Sequence, residues 1–65
     1  MKTRIFTQAS FDKLTNEQII TRIKGYQEMA EIYFRITGDS DNEFTDYANE
    51  FIQERDRRIE YLSNN

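Results

Sequence analysis

The 65-residue sequence has no cysteine, no histidine, no proline and no tryptophan, and it has only two glycines. Without cysteine no disulfide can form, and without cysteine or histidine the common zinc sites are closed. A chain this short buries a modest fraction of its surface, so self-association is the stabilising device left to it. The same absences remove most catalytic chemistry. Ser10, Ser40 and Ser63 have no imidazole to activate them, and no thiol is present to act as a nucleophile. Two carboxylates of different acidity could still do acid–base work. However, the acids are expected on solvated faces, and no glycine-rich motif forms a pocket. No enzymatic activity, cofactor or metal is therefore expected.

Long apolar runs are also missing. Lys2 and Arg4 precede only Ile5 and Phe6, too little for a signal peptide, and no stretch reaches membrane-spanning length. The expectation is a cytoplasmic protein with no membrane partner. Nor is there a charge excess of one strong sign: nine Lys and Arg face twelve Asp and Glu, for a net charge of −3. Nucleic-acid affinity depends on neutralising phosphates, so this balance counts against a nucleic-acid partner. Charges of alternating sign suit a solvated, folded surface better than a disordered tail.

What the chain does have is aromatic and aliphatic weight at helical spacing. Nine Phe and Tyr can carry a small core because each buries a large area. Leu14-Thr15-Asn16-Glu17-Gln18-Ile19 combines a capping box (Thr15 with Gln18) and a hydrophobic staple (Leu14 with Ile19). From it Ile19, Ile23, Tyr26, Ala30 and Tyr33 recur at steps of four and three. Ile20, Met29, Phe34 and Ile36 widen the stripe to about half the circumference, and Gly38 is the left-handed stop. A helix is predicted over 16–37. Ser40-Asp41-Asn42-Glu43 reads as a second capping box, with Asp39, Asp41 and Glu43 near the positive end of the dipole and Arg57 and Arg58 near the negative end. Phe44, Tyr47, Ala48, Phe51, Ile52, Ile59 and Leu62 form its apolar face, predicting a second helix over 41–62 and fraying from Ser63 onward.

Two helices of this length joined by a short turn fold back as an antiparallel αα-hairpin. The fold class is all-α, in one domain over 1–65. The segment 1–14 (Ile5, Phe6, Ala9, Phe11, Leu14) packs across the hairpin as a short helix capped by Ser10 or as an extended stretch. The apolar stripes are wider than one helix–helix seam covers. The surplus is met by that segment, by pairing of two hairpins into a four-helix bundle, or by both.

Five residues stand out as candidates for partner binding. Arg55 lies between Phe51 and Ile59 on an apolar face, where an unpaired guanidinium is costly. It either carries its head to water, pairs with Glu28 or Glu31, or anchors an interface. Arg22 poses the same question on the first helix. Arg58, Tyr61 and Ile32 complete the set, Tyr61 and Ile32 as apolar contacts off the main stripes. Gly25 lies mid-helix at a cost of about 1 kcal/mol relative to Ala, tolerated as exposed or used for close approach of another backbone. Asp39 to Glu43 has the acidic spacing of a calcium loop. Phe44 stands where that loop needs glycine, so helix capping accounts for the acids better than ion binding.

Within the second helix, Ser40-Asp41-Asn42-Glu43-Phe44 and Asp56-x-Arg58-Ile59-x-x-Leu62 resemble pieces of the haemolysin-expression-modulating proteins, which bind a nucleoid-associated repressor. Gln53-Glu54-x-Asp56 is similar to part of the Ser-Gln-Glu-Leu-Asp motif of hairpin aspartyl-phosphate phosphatases, with Ile52 and Arg55 in place of the Ser and Leu. Phe51 to Ser63 resembles the last helix of the theta subunit of bacterial DNA polymerase III. The three imply incompatible functions, and no family is assigned.

The leading expectation is a non-catalytic interaction module, a small regulator or inhibitor that docks a helical face on a protein partner. Small acidic helical accessory proteins of phages and plasmids offer an analogy, which does not come from these residues. One alternative is an acidic nucleic-acid mimic using Asp39, Asp41, Glu43, Asp46, Glu50, Glu54 and Glu60. Another is a homodimeric hairpin that binds RNA through Lys2, Arg4, Arg57 and Arg58 or modulates a nucleoid-associated protein.

Overall fold

The computed structural model describes residues 4–63 and folds them into three helices, α1 (Gln8–Asp12), α2 (Asn16–Thr37) and α3 (Glu43–Ser63). The start of α2 follows from its sequence. The Thr15 hydroxyl accepts from the Gln18 amide at 3.1 Å, and the Gln18 side chain accepts from the Thr15 amide at 2.8 Å. These bonds satisfy two donors that a helix end leaves open. At the other end Gly38 takes φ 75°, and its N–H reaches the Phe34 carbonyl at 2.7 Å. Only glycine adopts that conformation without strain.

The start of α3 corrects the sequence expectation. The cap is Asn42 and not Ser40. Asn42 Oδ1 accepts from the amides of Phe44 and Thr45, while its Nδ2 donates to the carbonyls of Ala30 and Asp39. One buried amide thus begins α3 and ties it to α2 and to the turn. Asp39 accepts from the Asp41 amide at 3.0 Å and shapes the turn. A second correction concerns α1: its cap is Thr7, whose hydroxyl accepts from the Ser10 amide, and Ser10 lies inside the helix. The preceding residues 4–7 are not helical. Lys2, Asn64 and Asn65 lie outside the described residues.

Helices α2 and α3 pack antiparallel, and the segment before α2 lies across one side of them. The core is Phe11, Ile19, Ile23 and Phe51, with Phe6, Leu14, Tyr26 and Ile52 packed around it. Its centre is aromatic. Phe6 and Phe11 each meet Phe51 at 5.0 Å between ring centroids, edge to face, and Tyr26 joins Tyr47 at 5.4 Å. Edge-on pairs of this kind add about 0.5–1.5 kcal/mol beyond the area they bury.

Not every expected core residue is inside. Phe34, Ile59 and Leu62 are exposed, and Tyr33 only edges against Phe44. The core lies where the N-terminal segment closes the hairpin, and away from that lid the same stripes face water.

Candidate functional site

The side chain that organises the lid is one the sequence reading left on the surface. Phe44, Tyr47, Phe51, Glu54, Arg58 and Tyr61 follow one row of α3 at steps of three and four, and where α1 crosses, the row turns from aromatic to ionic. The Glu54 side chain is 1% exposed. It accepts from Arg57 at 2.8 and 2.9 Å, from Arg58 at 2.7 Å and from Gln8 at 3.2 Å. The Arg57 hydrogen bonds, then those of Arg58 and Gln8, outweigh the burial penalty and hold the carboxyl down to about 2.

Arg58 extends this clasp. Its remaining nitrogens donate to Asn16 Oδ1 at 2.7 Å and to the Phe11 carbonyl at 2.8 Å. It therefore joins the end of α1, the start of α2 and the buried acid of α3. Arg57 and Arg58 serve Glu54 and do not cap the end of α3. Glu50 fastens the start of the lid, its two oxygens accepting from the amides of Ile5 and Phe6 at 2.8 and 2.9 Å. Arg4 lies over the Phe11 ring at 5.1 Å. Glu43 accepts from the Tyr47 hydroxyl, and that hydrogen bond with the adjacent charge raises the phenol above its ordinary value.

The five candidate residues divide between two surfaces. Arg55, Arg58 and Tyr61 gather at the open end of the hairpin. There Asn16, Ile19, Ile20, Arg55, Arg58, Ile59 and Leu62 line a groove of about 240 Å³, and Tyr61 and Arg57 line a continuation that shares Asn16, Arg58 and Leu62. Arg55 does not reach Glu28 or Glu31. It hydrogen-bonds Asp56 at 3.0 and 3.1 Å and keeps its head near solvent. Arg22 and Ile32 are not in this groove. They lie on the outer side of α2, both exposed.

Among the described residues no group of three or more acids, histidines or cysteines comes together to hold a metal ion. No helix there is long and apolar enough to cross a membrane. Of the seven acids that a phosphate mimic would present, Glu54 is buried and Glu50 is committed to the lid. The basic set imagined for RNA is similarly reduced, since Arg57 and Arg58 share Glu54.

Sequence reasoning missed Glu54, Glu50 and Asn42. A signal for Glu54 was present: it stands three residues after Phe51, on the buried row, with arginines three and four residues beyond it. Glu50 and Asn42 act across the fold, and nothing local marks them. The chain matches no protein-family profile, no curated protein and no solved structure.

Proposed function

We propose that the protein is a non-catalytic interaction module that acts as a small regulator or inhibitor by seating an amphipathic segment of a protein partner in the groove between α2 and α3. The observation that carries this reading is the state of its apolar wall. Leu62 is 67% exposed and Ile59 54% exposed, although both continue the face that is buried at Ala48 and Phe51. Isolated exposed aliphatics are ordinary, but several side by side in a concave site are a feature of binding surfaces.

The groove also states a charge preference. Its charged lining is wholly arginine, in a chain of net charge −3. Arg58 is locked by its three bonds, while Arg55 holds only a neighbouring, exposed Asp56, a pairing worth about 0–1 kcal/mol. A partner carboxylate can replace Asp56 at little cost. The fitting ligand is a helix with one large apolar anchor flanked by Asp or Glu.

Selection of a randomised helical peptide library against the full chain tests this. Enriched peptides should carry an apolar anchor next to acids and should lose binding to a Leu62→Lys, Arg55→Glu double variant whose circular dichroism matches the parent. Peptides that bind the double variant equally well, or no enrichment at all, would remove the reading.

A further inference from the structure

Helix α2 carries a second apolar stripe that neither the lid nor α3 covers. Successive residues of a helix turn by about 100°. Arg22, Gly25, Met29, Ile32 and Ile36, at steps of three, four, three and four, therefore share a face about a third of a turn from the core stripe. The spacing is that of coiled-coil core positions. All five residues are exposed, and Ile36 is 77% exposed. A methyl group built on Gly25 meets nothing within 4 Å, so the glycine leaves an unfilled gap, a notch, in the row of side chains between Arg22 and Met29.

The pattern is self-complementary in one orientation. Two copies of α2 laid antiparallel, with the register centred between Ala30 and Glu31, set Ile36 of each copy into the Gly25 notch of the other. Met29 then faces Ile32 of the second copy, twice over, and Arg22 comes to the C-terminal end of the second copy's α2, where a cation is favoured. On the flank of the seam Glu28 comes beside Arg35 of the second copy, again twice. Arg35 is held by Glu31 at 2.7 Å, but both side chains are largely in water and that pair is readily exchanged. A parallel register fails on the same residues, since it stacks Arg22 on Arg22 and notch on notch.

We propose that two copies of this chain form a symmetric dimer by antiparallel pairing of the outer faces of α2, with Gly25 receiving Ile36. The proposal uses a surface separate from the α2–α3 groove and stands or falls independently of it. An isologous pairing leaves both grooves open, making the dimer bivalent.

Sedimentation equilibrium of the full chain, from about 1 μM to about 1 mM, tests it with four variants. The parent should shift from monomer to dimer across that range. Gly25→Lys replaces a helix-interior glycine with a better helix former in open space, so the dilute monomer should melt no lower than the parent, while the dissociation constant rises roughly tenfold or more. Glu28→Arg and Arg35→Glu should each weaken the dimer, and the double variant Glu28→Arg, Arg35→Glu should recover affinity close to the parent's. Leu62→Lys should leave the dimer intact. A parent that stays monomeric throughout, a dimer indifferent to Gly25→Lys or lost with Leu62→Lys, or a double charge swap without recovery would each overturn the proposal.

Discussion

Glu54 places a full charge on the buried row one turn beyond Phe51, and the fold tolerates it because both oxygens of the carboxylate are engaged. Burying an unpaired carboxylate would cost several kcal/mol, yet two guanidiniums and an amide meet this one within 3.2 Å. Its pKa falls from 4.5 to about 2 as a result. Because the folded state holds the proton more weakly than the unfolded chain does, the stabilisation is fully present above about pH 4.5. It is lost as the pH falls toward 2. Its ceiling is about 3 kcal/mol, reduced by solvent around the half-exposed Arg57. Glu54→Gln should therefore cost about 2 kcal/mol at neutral pH and much less at pH near 2, read from urea unfolding across a pH series. A variant whose stability ran parallel to the parent's over that range would refute the assignment. The residue was hard to read from sequence because Glu in an acid-rich helix normally faces water. Arg58 was legible only as a helix-end cation and a candidate contact for a partner, and not as the peg that joins three elements.

The two long helices and their reversal at Gly38 follow from local signals, since a capping box, a helical apolar period and a left-handed glycine all lie within a few adjacent residues. The second cap shows the limit of such signals. Ser40 with Glu43 satisfies the pattern for a helix start, but Asn42 wins because only its amide can serve the α3 amides and the Ala30 carbonyl of α2 together. The choice is tertiary, and no window of neighbouring residues contains it. Asn42→Ala should lower stability by about 1–2 kcal/mol, whereas Ser40→Ala should stay within about 0.5 kcal/mol. Thermal unfolding of the pair checks this, and equal losses would return the cap to Ser40. The lid presents the same difficulty: Ile5, Phe6 and Phe11 announce an apolar segment, but its path is set by Glu50, more than forty residues away in sequence.

The whole molecule measures 43 × 26 × 20 Å, with a radius of gyration of 13.0 Å where a compact chain of this length would have about 10.7 Å. The elongation follows from setting two rods of about 30 Å side by side with a cover over one end only. That the apolar stripes exceed one seam was legible in the sequence. Their division into a groove at one end and a ridge along α2 was not, because it depends on which side the lid takes. A molecule with so little core should draw measurable stability from its own association. If α2 pairs as proposed, unfolding is coupled to dissociation, and the melting temperature must rise with protein concentration. A tenfold increase adds about 0.7 kcal/mol per chain, half of the 1.4 kcal/mol per dimer that a factor of ten represents. For a domain of this size that is roughly 3–6 °C. Scans at several concentrations should show this slope in the parent and a weaker one in Gly25→Lys, setting in only at roughly tenfold or higher protein concentration. Equal slopes in the two proteins would place the association on some face other than the outer ridge of α2.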